Sequence, residues 1–72
     1  MKPVYLPFDV YEQHVTRWLN DNVGHMIGYR DEGGFYGVGW EFYLDLLFPD
    51  QMYWVALINN EDDATLFKLR WQ

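Results

Sequence analysis

The sequence predicts an α+β domain: a single antiparallel sheet with two helices on one face, in the order β-α-β-β-β-α. Three observations predict it. An apolar stripe at helical spacing runs through residues 10–22, with Tyr11, Val15, Trp18 and Leu19 at i, i+4, i+7 and i+8. From Tyr36 to Leu46 large apolar residues alternate with glycine or polar residues, the period of a strand. The last dozen residues segregate charge, with Glu61-Asp62-Asp63 early and Lys68 and Arg70 late, as a helix dipole favours.

The elements follow in order. Residues 3–8, PVYLPF, read as a short edge strand, because Pro3 and Pro7 cannot donate to a ladder. Asp9 reads as an N-cap, with Glu12 three residues on completing a capping-box pattern, and Gly24 is a stop after Val23. HMIGYR (25–30) reads as a strand and DEGG (31–34) as a turn. The strand from Tyr36 places Tyr36, Val38, Trp40, Phe42, Leu44 and Leu46 on one face, and Gly37, Gly39, Glu41, Tyr43 and Asp45 on the other. Pro49-Asp50 punctuates it. Residues 52–58, MYWVALI, are apolar on both faces, as in a central strand. Asn60 caps a final helix over 61–71 with Ala64, Phe67 and Trp71 on its stripe; a strand from Thr65 to Trp71 is the competing reading.

One domain spans residues 1–72, and no repeat, low-complexity segment or linker divides it. A chain this short buries only about 60% of its unfolded surface. It carries 4 Trp, 6 Tyr and 5 Phe, which argues against disorder. The absence of cysteine rules out disulfides and thiolate metal sites and suits a reducing cytoplasm. No signal peptide or membrane span is expected at the amino terminus. The net charge of −6 disfavours polyanion binding, which needs clustered Lys and Arg.

The stretch Gly33–Phe42, GGFYGVGWEF, invites two functional readings. Phosphate loops place glycines before a helix, often with a lysine, whereas these glycines enter a β pattern with no lysine nearby. The aromatic spacing has a superficial likeness to an RNA-recognition strand but lacks its leading basic residue. A hairpin with glycines at points of close packing is the reading retained.

Chemistry is thinly represented. Serine and cysteine are absent, removing the commonest nucleophiles. His14 and His25 have no partner at HxH or HExxH spacing, and Glu61-Asp62-Asp63 lacks the EF-hand pattern. The expectation is a protein that is not an enzyme and uses no cofactor or metal.

With both helices on one face, the other face of the sheet has no helix to cover it. Tyr5, Tyr29, Tyr43, Tyr53, Val55 and Leu57 are expected there, edged by Glu41 and Asp45. Contiguous exposed apolar surface marks interfaces, and tyrosine and tryptophan are enriched in them. Tyr29, Tyr43, Tyr53, Val55 and Leu57 are therefore the candidate interface residues, facing a second copy in a homodimer or another protein. The alternative is a nucleic-acid-related role, as an acidic mimic or an atypical aromatic-sheet binder of single strands.

The ending Asn60-Glu61-Asp62-Asp63-Ala64-Thr65-Leu66-Phe67-Lys68-Leu69-Arg70-Trp71 resembles that of small uncharacterised tailed-bacteriophage proteins. These finish with an Asp-Ala pair, two residues, then Phe-Lys-Leu-x-Trp. The resemblance covers about a dozen positions and extends weakly into the aromatic strand before them. It implies a small accessory protein of the host cytoplasm that acts by binding a host protein. It transfers no functional residues, since no activity is established for that group.

Overall fold

A computed structural model describes residues 2–48 and 51–72. Its elements are β1 (Val4–Pro7), α1 (Glu12–Asn22), β2 (Met26–Tyr29), β3 (Phe35–Gly37), β4 (Trp40–Phe48), β5 (Gln51–Ile58) and α2 (Glu61–Trp71). The α+β class is as the sequence predicts, with one strand more. All pairings are antiparallel, in the spatial order β1-β5-β4-β3-β2. Pro49-Asp50, read as punctuation, lies outside the described residues.

The core is a single layer between the sheet and both helices. Val4, Leu6, Trp40, Phe42, Trp54, Ala56 and Ile58 come from the sheet, Val15 and Leu19 from α1, and Phe67 from α2. Phe42 stacks on Trp54 with centroids 4.6 Å apart and planes at 10°, and Trp18 meets Phe67 edge-on at 5.7 Å. Such pairs stabilise by about 0.5–1.5 kcal/mol beyond their area burial. The Trp40 Nε1–H donates to the Gly24 carbonyl at 2.7 Å, tying the end of α1 to the first residue of β4.

The C-terminal segment is helical. The Asn60 side chain accepts from the backbone N–H groups of Asp62 and Asp63, so the capping residue and charge segregation decide against a strand. At α1 the expectation fails: Tyr11, not Asp9, occupies the N-cap position, without a side-chain cap bond. The chain turns first, with the Val10 N–H bonded to the Pro7 carbonyl at 3.1 Å. That turn consumes Asp9, and the helix starts at Glu12 rather than residue 10.

The extra strand comes from dividing the segment read as one strand from Tyr36. Gly37 pairs with Trp40 across a two-residue turn, Val38-Gly39, where Gly39 takes a φ of +81°. Glycine accepts that conformation without a Cβ penalty. The turn reverses the chain, so Tyr36 pairs with Glu41 and does not share a face with Trp40.

The candidate interface, an uncovered sheet face

Direct cross-strand partners in an antiparallel sheet share a face, so the register defines the surface turned away from the helices. One row runs Tyr5–Val55–Tyr43 across β1, β5 and β4. A second runs Pro7–Tyr53–Asp45, and a third Leu57–Glu41–Tyr36 across β5, β4 and β3. Neither helix packs here: every sheet residue of the core cluster lies on the opposite face.

Val55 is nonetheless only 2% exposed. It stands directly between its cross-strand partners Tyr5 and Tyr43, and among the described residues no second layer lies over the sheet on this side. Tyr43, Tyr53 and Leu57 are half-buried and Tyr5 is exposed. The structure thus places four of the expected interface residues together: Tyr43, Tyr53, Val55 and Leu57.

Tyr29 is a correction. It pairs with Phe35, which pairs with Phe42, and its ring lies 5.4 Å from that of Phe35. It therefore belongs to the helix-side face, at the far edge of the sheet, where it is 76% exposed. Its face follows from the pairing of Tyr29 with Phe35 across the 30–34 turn, a register that alternation in the sequence does not reveal.

Two residues that the sequence reading missed complete the surface. The Arg30 guanidinium lies 4.0 Å over the Tyr43 ring, and its Nε is 3.4 Å from Glu41 Oε1. The close approach of the turn makes this reach: Gly34, at φ +100°, lies against the backbone of Phe42 and Tyr43, and its carbonyl accepts the Arg30 N–H at 3.1 Å. Tyr36 is the other, brought to this face by the Val38-Gly39 turn. The Gly-x-Gly spacing at 37–39 was the available signal for that turn.

Electrostatically the face carries both signs, Arg30 against Glu41 and Asp45. The Tyr43 hydroxyl is held above the ordinary tyrosine value of 10.0, first by desolvation and then by Asp45, with Arg30 opposing. Such a patch offers aromatic surface, one flat cation and two carboxylates. Nothing in it forms a nucleophile and base pair. Among the described residues no group of three His, Cys, Asp or Glu side chains is placed to hold a metal ion. His14 is exposed and stacks on Tyr11 at 4.5 Å; His25 is exposed ahead of β2. Among the described residues no helix is long and apolar enough to cross a membrane.

No family model, curated protein or solved structure matches the chain.

Proposed function

We propose that this protein is a non-enzymatic binding module that pairs with a second copy through its uncovered sheet face, as a small phage accessory protein in the host cytoplasm. The observation that carries the reading is the Tyr5–Val55–Tyr43 row, a packed aromatic and aliphatic strip on the side of the sheet that has no second layer. Its tyrosines are already arranged around Val55, so pairing orders few additional rotamers. The face is also charge-complementary to itself. In a twofold arrangement the same patch meets itself, and Arg30 of one copy can oppose Asp45 of the other. Tyrosine-centred surfaces of this kind concentrate binding energy in a few residues, and truncating one costs about 2 kcal/mol or more.

The test is truncation of the two half-buried tyrosines. Tyr43→Ala with Tyr53→Ala should abolish association while the circular dichroism spectrum stays that of the folded chain. Association that survives this pair in a folded protein rejects the reading.

A further inference from the structure

The helix-side face is not covered to its end. Helices α1 and α2 have 11 residues each, about 16 Å at 1.5 Å per residue. Strand β4 has 9, about 30 Å at 3.4 Å per residue. The β4–β5 hairpin outruns the helices. Leu44 and Leu46, on the same face as buried Phe42, are left 37% and 58% exposed, and Met52 opposite Leu46 is exposed too. From the connection between β1 and α1, Phe8 and Tyr11 add more than half of their own surfaces.

Phe8, Tyr11 and Leu44 line a groove, and exposed Leu46 and Met52 lie beyond it. A hollow of about 490 Å³ lies between Phe8, Tyr11 and Leu44, with buried Trp54 among its walls. A separate hollow of about 420 Å³, lined by Pro7, Phe8, Gln51, Met52 and Tyr53, opens toward the uncovered face and is not part of this groove. Among the described residues, the only charged side chains lining this groove are Asp9 and Glu12; no lysine or arginine does.

We infer that this groove docks a segment of another protein in which apolar side chains stand beside Lys or Arg. The apolar walls select the first and the two carboxylates the second. A second copy of this chain is the poorer occupant, because it would bring Asp9 and Glu12 against their equivalents in a molecule of net charge −6. Carboxylates at a groove's edge set orientation and association rate, while the desolvated aromatic and aliphatic contacts set residence. The groove lies on the opposite face from the Tyr5–Val55–Tyr43 strip. It does not depend on pairing through that strip and stays open if pairing occurs.

The test uses two probes, an amphipathic peptide of leucine and lysine and its leucine–glutamate twin, titrated into isotope-labelled protein and followed by NMR. The leucine–lysine peptide is expected to shift the Trp54 indole and the amides of Leu44, Leu46 and Met52. Phe8→Ser with Leu46→Ser, both at exposed positions, should weaken it by about tenfold or more, equivalent to about 1.4 kcal/mol. Asp9→Asn with Glu12→Gln should weaken it too and flatten its salt dependence. Equal binding by the leucine–glutamate twin would overturn the inference. So would a footprint on Tyr43 and Val55, indifference to Phe8→Ser with Leu46→Ser, or a dimer that this pair dissolves.

Discussion

The guanidinium of Arg30 lies 4.0 Å over the ring of Tyr43 while its Nε contacts Glu41 at 3.4 Å, so one side chain joins the β2–β3 turn to the strand beyond it. Both partners of the ion pair retain solvent contact, which limits the charge contribution. The flat stack is the larger part. Arg30→Ala is expected to cost about 1 kcal/mol in denaturant unfolding, from about 0.5–1 kcal/mol for an exposed cation–π contact and a fraction for the pair. Arg30→Lys should recover only part of it, because an ammonium lacks the planar face. A full recovery by lysine would show that charge alone matters here.

Tyr43 gives the fold an alkaline sensitivity. Its folded pKa is raised above 10.0, chiefly by desolvation. The folded state therefore keeps a proton that the unfolded state releases, and this stabilisation is complete below about pH 10 and is lost as pH rises through the folded value. Tyr43→Phe should reduce the fall in stability above pH 10. Arg30→Gln should move the Tyr43 pKa further up, since Arg30 is the group that lowers it. Tyrosine carbon shifts in an NMR titration read both effects; a Tyr43 pKa at or below 10 contradicts the first.

Gly33 and Gly34 are adjacent and both have positive φ, at 98° and 100°. Their surroundings differ. A Cβ on Gly33 meets nothing within 4 Å, whereas one on Gly34 would stand 2.5 Å from the Phe42 carbonyl oxygen and 2.6 Å from the Tyr43 Cβ. Gly33→Ala should cost about 1–2 kcal/mol, the left-handed penalty alone. Gly34→Ala should cost more than that and also loosen the Arg30–Tyr43 stack, visible as a change in Tyr43 ring shifts. Equal losses at the two positions would contradict the packing described.

The caps of the two helices separate in the same way. Asn60→Ala removes an acceptor for two backbone N–H groups and should cost about 1 kcal/mol. Asp9→Ala should leave stability within about 0.5 kcal/mol, as a surface substitution away from any cap. Thermal unfolding of the two variants under one set of conditions checks the contrast.

How far the sequence reveals the molecule depends on how local each signal is. Helix α2 is legible because Asn60, the acids at 61–63 and the bases at 68 and 70 all act within one element. Strand β5 is legible because it is apolar on both faces and lies between two neighbours. The Val38-Gly39 turn is hidden because Gly37 and Gly39 keep step with the alternation on either side, and missing it sends Tyr36 to the wrong face. Tyr29 is misplaced because its face is set by its pairing with Phe35 across the 30–34 turn, which alternation within its own strand does not express. Arg30 was passed over because its partner, Tyr43, is distant in sequence and meets it only across the folded hairpin. Leu44 and Leu46 carry the right parity for burial; their exposure follows from the unequal lengths of hairpin and helices, which no single segment expresses.

The central claim, pairing through the Tyr5–Val55–Tyr43 face, is tested most directly by solution mass. Light scattering over a concentration series, at low and high salt, should give a dimer for the native chain and a monomer for Tyr43→Ala with Tyr53→Ala. A native chain that remains monomeric at all concentrations, or a dimer that the double substitution leaves intact, would contradict it.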